Sequence, residues 1–333
     1  MMMVRDQVDL MVEDLDVEVS YDAPIGREMT WYAVGGNADV LIEPRSVEGL
    51  VGVIKRAREA GIAVRMLGSG ANLLVDDEGI DGLVVHLSHG VFREVSAIHR
   101  HRKNRGGDGS AGDGIRAMAG ASMERIVMNL AKQGMSGLEM MAGIPASVGG
   151  AVRMNAGGKF GSIGEAVRAV GAIDLDGNMV TYQRDEIEFS YRRCSIVDPV
   201  IVWVELGLVA ADPGVVHQRV KDIFAYKKKA QPMGAKSAGC AFKNPKVDVG
   251  NGGVGGVGGV MSAGRIIDEA GLKGFTVGKA MVSERHGNFI VAEKGASASD
   301  VIAVMDHVRK VVREERGIEL EREMVVWKRK GGR

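Results

Sequence analysis

Three clusters of glycine separate segments that have strand-like patterns, and they are the first residues with a recognisable chemical use. They are VGGNADVLIEP (34–44), MLGSGANLLV (66–75) and MAGIPASVGGAVRMNAGGKFG (141–161). The pyrophosphate of a dinucleotide is bound by several backbone N–H groups at close range, which glycine and other small residues permit. The second and third clusters suit that role. Taken singly, each cluster is more commonly explained by structural turns.

Two familiar phosphate-binding motifs are excluded. GSGANL (68–73) has Leu73 where the dinucleotide fingerprint requires its third glycine, and the following LLVDD reads as a strand rather than a helix. No G-x-x-x-x-G-K-[ST] occurs. A nucleotide site in this chain is therefore of neither the Rossmann nor the P-loop type.

The cysteines and the basic runs carry weaker signals. Cys194 and Cys240 are too few for a disulfide framework, and no C-x-x-C or H-x-x-x-H spacing indicates a metal site. The segment 99–114 reads as an exposed polar loop, and its HRHRK run lacks the aromatic neighbours that stack on nucleic-acid bases. We expect no metal and no nucleic-acid partner.

The elements that must position these segments alternate at first between helix and strand. The pattern predicts a helix over 47–60 that stops before Gly61, between the first two glycine clusters, and short buried strands in AVRML and GLVVHL. A second helix is predicted over 122–134 with Ser122 as its N-cap. AVGAIDLDGNMVTYQ is a hairpin with an Asp-Gly-Asn turn, and IVDPVIVWVELGLV is a long strand.

The last region is predicted to contain helices over 215–230 and 299–316 and a final strand in EREMVVW. Its GGVGGVGGV run (252–260) has no proline, which excludes collagen and fits a flexible surface loop.

Length and composition limit the class of protein. A chain of 333 residues implies two or three domains. Because 43 Lys and Arg balance 43 Asp and Glu, no overall charge favours a polyanion or a membrane surface. Apolar runs are too short for a membrane span, and the N-terminus lacks the features of a signal peptide, so we expect a soluble cytoplasmic protein. Glycine is the anomaly, with 48 residues, about twice the average share.

Several motifs occur together in an order that resembles a known family. They are TWYAVGGNADVLIEP, VRMLGSGANLLVDDEGIDGLVV, GLEMMAGIPASVGGAVRMNAGG, FSYRRCS, SAGCAFKNP, AGLKGFTVGKAMVSERHGNFIV and GIELEREM. In these the chain resembles the UDP-N-acetylenolpyruvoylglucosamine reductase family over about residues 15–327, and it is closer to the shorter type.

The resemblance implies an α+β protein with a two-part FAD-binding region of the vanillyl-alcohol-oxidase-like flavin fold and a C-terminal α+β substrate-binding domain. The implied division is 1–92 and 93–214 for the two FAD-binding parts and 215–333 for the substrate-binding domain. The implied activity is the reduction of UDP-N-acetylglucosamine enolpyruvate to UDP-N-acetylmuramate in peptidoglycan precursor synthesis, with bound FAD and with NADPH as cosubstrate.

The resemblance also assigns cofactor-binding residues, with the glycines approaching the pyrophosphate. They are Val34, Gly35, Gly36, Leu67, Gly68, Ser69, Gly70, Ala71, Asn72, Leu73, Gly143, Ile144, Pro145, Gly149, Gly150, Asn155, Ala156 and Gly157. The amides of Asn72 and Asn155 can donate and accept, which suits flavin or ribose edges. Either amide could instead stabilise its own turn.

Three residues match the family's catalytic positions. Arg192 matches the arginine that stabilises the enolate, since a guanidinium binds a carboxylate through two hydrogen bonds. Glu323 matches the catalytic glutamate. Cys240 stands where the family usually has the serine that donates the proton, and it is interpreted as a thiol donor, with a damaged enzyme or a structural cysteine as alternatives. Cys194 is interpreted as a small buried residue.

Substrate contacts are implied for a further set: Tyr191, Lys227, Lys243, Asn244, His286 and Asn288. The lysine charges of 227–229 could meet the diphosphate, or they could form a solvated helix end. Two other functions stay open at this stage. One is another flavin oxidoreductase of the same fold, and the other is a non-catalytic flavin-binding homologue.

Overall fold

The computed structural model describes residues 2–98, 113–246 and 261–329. The predicted loop at 99–114 lies outside these residues except for its last two positions, and the GGVGGVGGV segment lies outside them entirely.

Helices take up a large part of the described chain. They are α1 (Met2–Val12), α2 (Ile25–Glu28), α3 (Val47–Glu59), α4 (Met123–Gln133), α5 (Val148–Arg153), α6 (Pro213–Ala230), α7 (Ala263–Glu269) and α8 (Ala298–Arg316). None of the helices in this part of the chain is both long and apolar enough to cross a membrane.

The strands are more numerous and mostly short. In chain order they are β1 (Val17–Ala23), β2 (Ala38–Pro44), β3 (Val64–Leu67), β4 (Leu73–Val75), β5 (Ile80–His86), β6 (Val95–Ile98), β7 (Gly114–Met118), β8 (Met135–Ser136), β9 (Gly157–Gly158), β10 (Gly161–Ser162), β11 (Val167–Ile173), β12 (Met179–Gln183), β13 (Phe189–Ser190), β14 (Arg193–Cys194), β15 (Val200–Gly207), β16 (Val209–Ala210), β17 (Thr276–Val277), β18 (Ala280–Val282), β19 (Ile290–Ala292) and β20 (Val325–Trp327).

The chain divides into two compact units, each with its own hydrophobic core. Unit 1 comprises Met1–Tyr21, Val40–Ser69 and Gly82–Tyr226. Unit 2 comprises Asp22–Asp39, Gly70–Asp81 and Lys227–Arg333. The predicted division at 92 and 214 concerns which part binds cofactor and which binds substrate, so it stays a prediction.

Two sheets provide most of the strands of unit 1. One has the order β1-β2-β5-β3, and β3 runs parallel to β5, with Leu67 opposite His86. The other is antiparallel with the order β12-β11-β15-β7-β6. Val40 of the first sheet and Val170 and Val204 of the second belong to one buried cluster.

The predicted helices of unit 1 are confirmed, and their ends have ordinary capping contacts. Ser46 accepts a hydrogen bond from Gly49 N–H at the start of α3, and Ser122 accepts one from Arg125 N–H at the start of α4. The predicted hairpin is also confirmed, since β11 and β12 pair with Ile173 opposite Met179.

Unit 2 is built around α8. Val301, Val304 and Met305 of α8 are fully buried in a cluster that includes residues of α7 and of the antiparallel sheet β17-β18-β19. The predicted final strand is confirmed as β20, which pairs in parallel with β4. This pairing attaches the residues that precede β20 to the loop that leads into β4.

Candidate functional site

In unit 1 the second and third glycine clusters meet. The Ser69 hydroxyl donates to the Pro145 carbonyl at 2.8 Å. Gly68 faces Ser147, and a Cβ at position 68 would lie 2.7 Å from the Ser147 Oγ. A Cβ at Gly150 would lie 3.1 Å from the same atom. Two segments predicted to bind the cofactor are therefore adjacent within this unit.

Small residues line both sides of this junction, and such residues allow close approach to backbone N–H groups. Gly68, Ser147 and Gly150 have no side chain larger than serine, and a Cβ at position 68 would displace the Ser147 hydroxyl. Ser147, which sequence reasoning missed, is buried and caps α5 by accepting from Gly150 N–H. Its position directly before Val-Gly-Gly is an N-cap signal that could have identified it.

Arg192 lies at the turn of the β13–β14 hairpin, also in unit 1. Ser190 pairs with Arg193, so Tyr191 and Arg192 form the two-residue turn. The Arg192 Nη1 donates to the Gly157 carbonyl at 2.9 Å, and its guanidinium carbon lies 5.3 Å from the centre of the Tyr191 ring. Tyr191 itself is exposed. The turn thus presents a cation and an aromatic ring side by side.

Asn155 lies in the same part of unit 1, and its amide is engaged with protein backbone. The Nδ2 donates to the Ser190 carbonyl at 2.9 Å, and the Oδ1 accepts from Gly164 N–H at 3.1 Å. The residue is buried and has a positive φ of 41°. Of the two sequence interpretations, the geometry favours the one in which this amide stabilises local structure.

The glycines at 35 and 70, both in unit 2, are required by packing. Gly35 has a φ of 103°, and a Cβ there would lie 2.1 Å from the Val75 carbonyl oxygen. Gly70 has a φ of 66°, and a Cβ there would lie 2.0 Å from the Met29 carbonyl oxygen. These positions need glycine whether or not a cofactor is bound, so close backbone packing explains part of the glycine excess.

Unit 2 brings Cys240 and Glu323 onto adjoining backbone segments. Cys240 forms an antiparallel bridge with Phe289, and Glu323 N–H donates to the Ala241 carbonyl at 2.9 Å. The Asn72 Nδ2 donates to the Glu323 carbonyl at 3.2 Å. Three of the predicted site residues, from distant parts of the sequence, are therefore neighbours in this unit.

The segment that carries Cys240 is fixed by Asn288. The Asn288 Oδ1 accepts from Phe242 N–H at 2.9 Å, and its Nδ2 donates to the Phe242 carbonyl at 2.7 Å. Asn288 is only 3% exposed, so its amide serves the backbone after Cys240. His286 Nδ1 accepts from Asn288 N–H at 3.1 Å, and burial, with a smaller effect of the Lys273 charge, lowers the His286 pKa.

The other predicted substrate residues also lie in unit 2. Lys243 forms an ion pair with Glu321 at 2.5 Å, and the Asn244 Oδ1 accepts from Ala263 N–H at 2.9 Å. Lys227 is buried, so the interpretation of a solvated helix end is wrong for this lysine. Lys227 therefore lies on the buried face of the last helical turn, while Lys228 and Lys229 are exposed.

Two further predictions concern Cys194 and metal binding. Cys194 is buried, as predicted, and burial raises the pKa of its thiol. Across 2–98, 113–246 and 261–329, no cluster of His, Cys, Asp and Glu has a geometry that could hold a metal ion.

Comparison with known proteins gives consistent matches. Residues 38–183 match the model of an FAD binding domain, and residues 231–327 match that of the UDP-N-acetylenolpyruvoylglucosamine reductase C-terminal domain. The reductase of Heliobacterium modesticaldum is 38% identical, over 93% of this chain and 90% of its own length. That of Bacillus subtilis is 34% identical, over 89% and 90%. The crystal structure of the Thermus caldophilus enzyme matches with a TM-score of 0.72 and 36% identity, over 94% of this chain and 99% of that one.

Proposed function

This chain belongs to the UDP-N-acetylenolpyruvoylglucosamine reductase family, and we propose that Arg192, Cys240 and Glu323 perform the proton chemistry of its reaction. The enzyme reduces UDP-N-acetylglucosamine enolpyruvate to UDP-N-acetylmuramate for peptidoglycan synthesis, with FAD and NADPH. It has the α+β fold of an FAD-binding region joined to the family's C-terminal domain.

A bound and reduced FAD would supply the chemistry of hydride transfer to the β-carbon of the substrate's enol ether, with NADPH as the source of the electrons. The protein must then stabilise negative charge on the substrate carboxylate and deliver a proton to the α-carbon. The guanidinium of Arg192 suits the first task because its planar fork can donate two hydrogen bonds to one carboxylate.

Cys240 suits the second task, and Glu323 shares the first with Arg192. The observation that carries this assignment is the hydrogen bond between Glu323 N–H and the Ala241 carbonyl, which fixes the backbone of the glutamate beside the cysteine. The thiol would give its proton to the α-carbon, and the resulting thiolate would later recover one from solvent. Glu323 would stabilise the same enolate through its protonated carboxyl group or through a bound water.

For the cofactor, we propose that the junction of Gly68, Ser147 and Gly150 accommodates the FAD pyrophosphate. We also propose that Asn72, whose Nδ2 is bonded to the Glu323 carbonyl, accepts from an N–H donor of the flavin through its Oδ1. The other predicted cofactor residues, at 34–36, 67, 69–71, 73, 143–145, 149, 156 and 157, remain proposals at the level of the family resemblance. Asn155 is not proposed as a cofactor ligand, because both ends of its amide are bonded to backbone.

For the substrate, we propose that Tyr191 and Lys243 make direct contacts and that Lys227 contributes a charge to the diphosphate. Asn288 acts differently in this proposal: its amide is bonded to Phe242, so it holds the Cys240 segment in place. Asn244 and His286 likewise act through the backbone N–H groups that they accept from.

The experiment that tests this function follows the flavin spectrum of the purified protein. Under anaerobic conditions NADPH should bleach the flavin absorbance, and UDP-N-acetylglucosamine enolpyruvate should restore it with formation of UDP-N-acetylmuramate. Bleaching without recovery would favour a different flavin oxidoreductase. A flavin that NADPH does not reduce would favour a non-catalytic homologue.

We also propose that the enzyme acts in the cytoplasm, because its nucleotide-sugar substrate and NADPH are both made there. Cell fractionation with an antibody to the protein tests this location. The absence of a nucleic-acid partner stays a prediction, and a gel-shift assay with mixed DNA and RNA tests it.

A further inference from the structure

The β13–β14 hairpin, which carries Arg192, is attached to the end of α5 by side chains that the reaction itself does not require. We infer that Asn155 is the positioning residue for Arg192, setting the guanidinium where the substrate carboxylate is bound. This inference rests on the role proposed above for Arg192.

Asn155 bonds to the backbone on both of its sides. Its Nδ2 donates to the carbonyl of Ser190, two residues before Arg192, at 2.9 Å. Its Oδ1 accepts from Gly164 N–H at 3.1 Å. With the residue 6% exposed, these hydrogen bonds are shielded from water, and breaking one leaves a buried polar group unpaired. The amide therefore fixes the start of the Arg192 turn.

Arg192 makes a second link between its turn and the segment that carries Asn155. Its Nη1 donates to the carbonyl of Gly157, two residues after Asn155, at 2.9 Å. Residues 155–157 are thus linked both to the backbone of the turn, at Ser190, and to the guanidinium of Arg192. Arg192 also has a φ of 55°, a conformation that is unfavourable for arginine and persists only where the surroundings enforce it.

A second anchor from α5 holds the chain that follows the hairpin. Arg153 donates from Nη1 to the Ile196 carbonyl and from Nη2 to the Asp198 carbonyl, each at 2.5 Å. Burial lowers the pKa of Arg153 below that of a free guanidinium. The segment before Arg192 and the segment after it are therefore fixed to α5 and to the residues directly after its end.

The residue type at 155 follows from these contacts. The position requires a positive φ of 41°, which asparagine adopts more readily than most residues, together with one donor and one acceptor. Glycine supplies the backbone conformation without the hydrogen bonds. Aspartate supplies the acceptor, but its carboxylate would face the Ser190 carbonyl without a proton to donate.

These two substitutions define the experiment. We expect Asn155→Gly and Asn155→Asp to retain FAD and to be reduced by NADPH at close to the wild-type rate. Reoxidation of the reduced enzyme by UDP-N-acetylglucosamine enolpyruvate should slow by at least about 10-fold. Asn178→Ala is the matched control, because Asn178 uses its amide in an exposed turn, on Asp174, at 3.1 Å. It should leave both half-reactions unchanged.

A double-mutant cycle with Arg192→Lys separates positioning from general damage. If Asn155 acts through Arg192, the losses caused by Asn155→Gly and Arg192→Lys in reoxidation should be clearly less than additive. Additive losses, or loss of bound FAD in the Asn155 variants, would overturn the inference; the latter would make Asn155 a cofactor ligand. If Arg192→Lys alone leaves reoxidation unchanged, the proposed role of Arg192 fails, whatever Asn155 does. Circular dichroism and the melting temperature of each variant identify a folding defect. If Asn155→Gly has such a defect, the reoxidation rate of Asn155→Asp, which keeps the acceptor, is compared with wild type instead.

Discussion

At the scale of single residues, Cys240 is the most informative position, because a thiol replaces the hydroxyl that the family usually has there. A free thiol has a pKa of about 8.5, whereas an alcohol keeps its proton throughout the range in which enzymes are assayed. The two side chains are similar in size, so an exchange between them tests proton donation with little change of packing.

The first prediction concerns this exchange. Turnover of the wild type should fall on the alkaline side as the thiol ionises, because a thiolate has no proton to give. Cys240→Ser should remain active, with its alkaline limit moved to higher pH. Cys240→Ala should still be reduced by NADPH but turn over slowly. The measurement is the pH dependence of kcat for all three proteins, and full turnover by Cys240→Ala would remove the thiol from the mechanism.

The second prediction distinguishes a catalytic role of Arg192 and Glu323 from a role in folding. Arg192→Lys and Glu323→Gln should slow reoxidation of the reduced enzyme by the substrate on the order of 100-fold, the usual cost of losing one group that stabilises developing charge. Reduction by NADPH should change much less, because that step does not involve the enolate. Stopped-flow absorbance of the flavin measures both steps, and equal losses in both would point to damaged folding or FAD binding.

At the scale of elements, the ends of helices and the tight loops are where single residues decide the structure. Gly70 lies in a loop where a Cβ would lie 2.0 Å from the Met29 carbonyl oxygen. Asp300 is the third residue of α8 and accepts from the N–H of Ser297, while Ser297 accepts from the N–H of Asp300. These positions give one prediction each.

The third prediction is that Gly70→Ala destabilises the protein by more than about 2 kcal/mol. A positive φ costs an L-residue roughly 1–2 kcal/mol, and the clash with Met29 adds to that cost. Gly90→Ala is the control, since a Cβ at Gly90 would meet no atom within 4 Å and its φ is not in the left-handed region. Urea denaturation measures both variants, and equal stability of the two would show that the loop relaxes without cost.

The fourth prediction uses the capping box of α8. Hydrogen bonds from backbone N–H groups, that of Ser297 first, lower the pKa of Asp300 below its usual 3.8. A carboxyl group with a lowered pKa in the folded state stabilises the protein above its unfolded pKa, and this contribution is lost as the pH falls through the folded value. Asp300→Asn should therefore cost about 1 kcal/mol at pH 7, with the difference from wild type shrinking below about pH 4. Urea denaturation at both pH values checks this, and a difference independent of pH would contradict it.

At the scale of the whole molecule, the two units have separate hydrophobic cores, and predicted site residues occur in both. The fifth prediction is that FAD copurifies with the full chain and gives a yellow protein, because residues 38–183 match an FAD binding domain. The absorbance near 450 nm measures it, and a colourless protein that also fails to take up added FAD would contradict it.

The sequence by itself determined the family, the reaction and most of the longer elements. The helices at 47–60 and 122–134 followed from hydrophobic spacing and serine caps, both of which are local properties of the chain. The motifs around Arg192, Cys240 and Glu323 could be located for the same reason, since a motif is a short run of consecutive residues.

The tertiary structure alone decided what the polar side chains of those motifs contact. Asn155 and Asn288 were predicted to meet cofactor and substrate, yet their amides are bonded to Ser190 and Phe242, residues 35 and 46 positions away. Lys227, in a run of three lysines, is buried while its two neighbours are exposed. An amide or ammonium group can bond to a ligand, to water or to backbone, and its choice depends on groups that only folding brings within about 3 Å.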